Sequence, residues 1–133
     1  MNNRSAAFDI DETTTLADIL DSFPKGRSPM SVILQDWLYL EGATSPEFKC
    51  HPDTLLDLAG ICCWLVDNER PFWFTGSTGY ITKTLKRSPN FARGIDELRQ
   101  LGLLHFHRPK TGGCLISATT KLTYLTEILG NDG

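Results

Sequence analysis

Between Leu55 and Val66 the chain is apolar at every position except Asp57 and Gly60. A helix that is apolar around most of its circumference has to be covered on nearly all sides, so this segment predicts a central helix. Pro52 and Asp53 open it: proline suits the first helical position, and a carboxylate complements the positive end of the helix dipole. Asn68-Glu69-Arg70-Pro71 ends it. A chain of 133 residues has room for one substantial core, so the other segments are expected to pack around this helix.

The composition agrees with a folded domain: 41% of residues are apolar and 22% charged. The central segment falls short of the roughly 18 apolar residues that a membrane span needs. The opening Met-Asn-Asn-Arg-Ser carries no apolar signal core, and no lipidation motif is seen, so a cytoplasmic protein with no membrane partner is expected. Four cysteines are too few for a disulfide scaffold, and the adjacent Cys62 and Cys63 read as small buried hydrophobes in a reducing compartment.

The remaining segments read as follows. Residues 1–14 are polar and form a loose acidic arm that, with a short helix over 16–23, makes a first unit of residues 1–28. Lys25–Arg27 is the candidate linker. A domain over 29–133 follows, with its core at 52–119. In it a helix starts at Ser28 or Pro29 and runs to a stop at Gly42, with Met30, Ile33, Leu34, Trp37 and Leu38 as its apolar stripe. Residues 43–51 are a loop, and Phe72-Trp73-Phe74 is a short strand. A helix over 80–87 leads through the Ser88-Pro89-Asn90 turn into a helix over 90–101. That helix has Phe91, Ile95 and Leu98 inward and Asn90, Arg93, Gly94, Glu97 and Gln100 mostly outward. Gly102 closes it, and two strands (103–108 and 114–119) flank a glycine-containing turn. Thr120 caps a last helix whose stripe is Leu122, Leu125, Ile128 and Leu129.

Charge is unevenly distributed along the chain. Residues 1–75 hold five Lys/Arg and twelve Asp/Glu, whereas residues 76–110 hold seven Lys/Arg against Asp96 and Glu97. An acidic body carrying a basic segment points to a polyanionic partner for that segment. Exposed Lys and Arg also decorate many solvated surfaces, and charge alone does not separate the two.

The order helix, strand, helix, turn, helix, strand, turn, strand over 52–119 resembles the winged helix-turn-helix superfamily. The phrase Gly94-Ile95-Asp96-Glu97-Leu98-Arg99-Gln100-Leu101-Gly102-Leu103-Leu104, followed by a hairpin, is similar to a recognition helix passing into a wing. The apolar helix after the hairpin is similar to dimeric regulators of the multiple-antibiotic-resistance type and to winged domains of phage or plasmid replication proteins. The chain departs from the former, with Lys110-Thr111-Gly112-Gly113 where an Asp-x-Arg is usual.

The resemblance implies a mainly α (α+β) fold with a small hairpin wing, and double-stranded DNA as partner. The 90–101 helix would enter the major groove and the 105–113 wing would reach the backbone. Lys83, Lys86, Arg87, Arg108 and Lys110 are the expected phosphate cations; Thr82 and Ser88 are neutral donors. Asn90, Arg93 and Gln100 have the side-chain types that read base edges, and His107 completes the contact set. Transcription regulation, or an accessory role in phage or plasmid biology, is the expected use. The alternative is a non-enzymatic interaction module or inhibitor that binds a protein partner with the same scaffold. A homodimer is possible through the 30–38 and 122–129 stripes.

Other sites have weaker carriers. Thr75-Gly76-Ser77-Thr78-Gly79 lacks the Lys-Ser/Thr of a phosphate loop and reads as a helix cap. His105 and His107 share a strand face, a spacing compatible with a metal, but strand histidines more often belong to a hairpin surface. No nucleophile-elbow, metalloprotease or kinase signature is present, so no enzyme, metal or cofactor is expected.

Overall fold

The computed structural model describes residues 14–23, 28–42, 46, 51–110 and 112–132. It is mainly helical with one small antiparallel sheet. The expected linker, most of the arm and most of the 43–51 loop lie outside the described residues.

The elements are α1 (Leu16–Ser22), α2 (Pro29–Trp37), α3 (Pro52–Asn68), β1 (Phe72–Phe74), α4 (Asn90–Gln100), β2 (Leu104–His107), β3 (Cys114–Ala118) and α5 (Thr120–Asp132). Helix α3 occupies the centre, as its apolar circumference requires. Leu55, Leu58, Ala59, Ile61, Cys62, Cys63 and Leu65 are all buried, and α1, α2, α4 and α5 pack around it.

Each flanking helix has a recognisable start. Thr15 and Asp18 form a reciprocal capping box before α1: each side chain accepts from the other's backbone N–H. Ser28 caps α2, its hydroxyl accepting from the Ser31 N–H, with Pro29 at the first helical position. Helix α2 is shorter than the sequence predicts. It gives way at Leu38 to a π-helical turn, Leu38–Gly42, which sets Gly42 against the Trp37 ring five residues back.

The expected helix over 80–87 is also shorter. A π-helical turn, Tyr80–Thr84, stops where Lys86 adopts a left-handed φ of 56°, and the chain leaves the helical path before Arg87. Ser77, from the glycine-rich stretch, caps it by accepting from the Tyr80 N–H.

Helix α4 ends as expected. Gly102 has φ 82°, the Leu103 N–H donates to Leu98 O and the Gly102 N–H donates to Arg99 O, a Schellman stop. Gly94 departs from its expected outward position. It is buried against α3, where a Cβ would meet Leu58 Cδ1 at 2.5 Å, so the missing side chain sets how closely the two helices approach.

In the sheet β3 lies between β1 and β2, both antiparallel to it. Register pairs Phe72 with Ile116, Phe74 with Cys114, Leu104 with Ala118 and Phe106 with Ile116. Strand alternation therefore puts Phe72, Phe74, Leu104, Phe106, Cys114 and Ile116 on the core-facing side. Trp73, His105, His107, Leu115 and Ser117 fall on the opposite side. Both strands of the hairpin are shorter than expected, by one residue at each end of β2 and at the carboxyl end of β3.

The cap of α5 sits one residue earlier than expected. Thr119, not Thr120, accepts from the Leu122 N–H, and its hydroxyl donates to Gly102 O. The apolar face of α5 is correspondingly shifted: Leu122 and Thr126 are buried with Leu125 and Leu129 beside them, whereas Ile128 is exposed. Spacings of 3, 4 and 7 from Leu122 give this face and leave residue 128 off it.

Candidate nucleic-acid interface

A groove of about 470 Å³ runs between the outward side of α4 and the sheet. Ala92, Arg93, Asp96, Glu97 and Gln100 line it from α4; Phe74 and Phe106 line it from the strands, and Gly76 and Arg108 from the segments just after them. A smaller hollow of about 290 Å³ shares Phe74, Gly76 and Arg108 and continues to Gly113 in the turn of the hairpin. Helix and hairpin thus border one continuous depression.

The sequence explains how these side chains meet. Phe91, Ile95 and Leu98 anchor α4 to the core, which turns Arg93, Asp96, Glu97 and Gln100 outward. Alternation along β1 and β2 sends Phe74 and Phe106 to the same side of the sheet, where they form an aromatic floor. Two guanidinium groups lie over the Phe106 ring, Arg99 at 5.2 Å and Arg108 at 6.0 Å from its centroid.

Polar contacts order the α4 side of the groove. Asp96 Oδ1 accepts from Arg99 Nε at 3.1 Å and Nη2 at 2.7 Å, and Asp96 Oδ2 accepts from Gln100 Nε2 at 2.8 Å. The Arg99 hydrogen bond holds the Asp96 carboxyl below its ordinary pKa. Asp96, Arg99 and Gln100 are therefore a linked set.

The eleven residues singled out in the sequence fall into four groups, with Arg108 belonging to two of them. Arg93, Gln100 and Arg108 line the groove together. Lys83, Lys86, Arg108 and Lys110 are exposed and make no ion pair among the described residues. His107 is exposed on the side of the sheet away from the groove floor, paired in register with Leu115.

The others are engaged locally. Arg87 Nε donates to Asp57 Oδ2 of the central helix at 2.8 Å, and Arg87 Nη1 donates to Leu85 O. The Thr82 hydroxyl donates to Thr78 O at 2.7 Å. The Ser88 hydroxyl accepts from the N–H of Asn90, the half-buried first residue of α4.

Phe74, Phe106, Asp96, Glu97 and Arg99 were not singled out as site residues. The signal for the aromatics was their shared strand parity, which becomes informative only once the register is known. His105 and His107 are accompanied by no third ligand: among the described residues, no group of three His, Cys, Asp or Glu could hold a metal. No described helix is long and apolar enough to cross a membrane.

No protein-family model, curated protein or solved structure matches the chain.

Proposed function

We propose that the protein binds duplex DNA as a winged helix, with α4 in the major groove and the β2–β3 hairpin against the adjacent backbone. The observation that carries this reading is the groove itself: Arg93 from α4 and Arg108 from the hairpin line one depression. The cations that make no ion pair among the described residues, Lys83, Lys86, Arg108 and Lys110, come from the segments on either side of α4. Such side chains can exchange water and counterions for phosphates without first breaking an internal pair.

Further support comes from the order of the elements. A helix, a strand, a helical turn, a second helix and a hairpin follow one another, and the first strand pairs with the last. Transcriptional control, or an accessory role in phage or plasmid biology, is the use this reading favours.

A salt titration of affinity for duplex DNA tests it. Four such side chains predict a slope of log affinity against log salt of about −4. Lys86→Glu with Arg108→Glu is expected to lower affinity at least tenfold and to flatten that slope, with the thermal transition retained. No binding to duplex at low salt, or an unchanged slope in the double variant, overturns the reading. The exposed Leu40 and Tyr124 favour a protein partner as the second reading, and absence of DNA binding leaves that one standing.

A further inference from the structure

Asp96 and Gln100 lie four residues apart on α4, both line the groove, and Asp96 Oδ2 accepts from Gln100 Nε2 at 2.8 Å. An ionised carboxylate has no hydrogen to give, so the amide nitrogen has to face Asp96 and the amide oxygen, Oε1, is turned away from it. The contact takes one amide hydrogen and leaves Oε1 beside the other. We propose that Asp96 is a positioning residue, which sets the Gln100 amide to read adenine in the major groove and to reject guanine. The inference rests on the duplex-DNA reading and adds the base class that the groove accepts.

An exposed side-chain pair on a helix is ordinarily loose, but Asp96 is also held from its other side. Its Oδ1 accepts from Arg99 Nε and Nη2, and the Arg99 guanidinium lies 5.2 Å from the centroid of the Phe106 ring. Phe106 belongs to β2 and packs against the core. The carboxylate is thus tied through Arg99 to the sheet as well as to its own helix. The Arg99 hydrogen bond also lowers the Asp96 pKa, which keeps the carboxyl in the form that only accepts.

The purines differ in what they set against such an amide. Adenine offers an acceptor, N7, beside a donor, N6, so one remaining hydrogen and Oε1 are its complement. Guanine offers two acceptors, N7 and O6. An unrestrained glutamine can turn both amide hydrogens toward them, whereas here Asp96 occupies one, and Oε1 would oppose guanine O6. Asp96 therefore acts by removing the orientation that suits the wrong base. That is discrimination by penalty as well as by contact.

Selection from a randomised duplex library, run with the native protein, Gln100→Ala and Asp96→Ala, tests this. The native protein is expected to enrich adenine over guanine at one position by about tenfold or more, and Gln100→Ala to lose that preference. Asp96→Ala should keep its thermal transition and its preferences elsewhere, while the adenine-to-guanine ratio at that position falls about threefold or more. In the free native protein, the Gln100 side-chain amide resonances should shift with the Asp96 carboxyl on acid titration, below the ordinary carboxylate range. An amide that ignores that titration, an unchanged ratio in Asp96→Ala, or duplex binding with no adenine preference removes this role from Asp96 and leaves the DNA reading standing. Failure of the native protein to bind any duplex at low salt overturns both.

Discussion

Arg87 reaches across 30 positions of sequence to place its Nε 2.8 Å from Oδ2 of Asp57, in the second turn of the central helix. Asp57 is buried while the Arg87 side chain stays one-third exposed, so the pair joins the turn before α4 to the core. This contact makes Arg87 a structural residue first. Arg87→Ala leaves a buried carboxylate short of a donor and is expected to cost about 1–3 kcal/mol, measured by urea denaturation. The salt slope for DNA is expected to keep its native value, because the guanidinium is engaged with Asp57. A steeply reduced slope with unchanged stability contradicts that assignment.

Gly94 sets the spacing between α3 and α4. A methyl group there overlaps Leu58 Cδ1, and Leu58 is itself buried, so the ring of neighbours has little room to yield. Replacing glycine by alanine inside a helix ordinarily gains about 1 kcal/mol. Overpacking of about 1–3 kcal/mol outweighs that gain here, and Gly94→Ala is expected to lower the melting temperature. In a Leu58→Val background the loss should shrink. Gly79→Ala, where nothing lies within 4 Å of the added carbon, is the matched control and is expected to be harmless.

Thr119 ties two elements together with one hydroxyl, accepting from the Leu122 N–H and donating to Gly102 O. Thr119→Val keeps the shape and removes both hydrogen bonds. A loss of about 1–2 kcal/mol is expected, the upper part of the range for a helix cap. Amide exchange supplies the discriminating readout: protection should fall at Leu122 and in the 101–103 turn together, whereas Thr120→Val should leave both unchanged.

Cys62, Cys63 and Cys114 are buried thiols, and burial pushes the pKa of each upward. The thiolate is the reactive form, so the native protein is expected to resist alkylation at these three positions near pH 8. In a Cys50→Ser variant no thiol should react with Ellman's reagent until denaturant is added, and three should react then. Rapid labelling of the folded variant contradicts the burial described above.

The parts of this molecule that were legible in its sequence are those with local causes. The apolar circumference of α3, the proline starts of α2 and α3 and the Gly102 stop each depend on a few adjacent residues. The two π-helical turns were not legible, because no residue pattern within them marks the change of pitch; one sets Gly42 against the Trp37 ring, and the other lies just before Arg87, which reaches Asp57. Gly94 was assigned to the outward side of its helix, since the apolar positions around it already filled the inward face. The groove was half legible. Its cations followed from the charge count along the chain, but its aromatic floor required the pairing of β1 with β3 and of β3 with β2.

Trp73 donates its N–H to Thr14 O, and Thr15 both bridges to Trp73 in parallel and caps α1. The outer rim of β1 is thereby covered at Trp73 by the chain's own backbone, where an exposed edge would otherwise offer a ladder to a foreign strand. Removal of residues 1–15 would unseal that rim, so a shortened protein is expected to self-associate through β1 while its core helices stay folded.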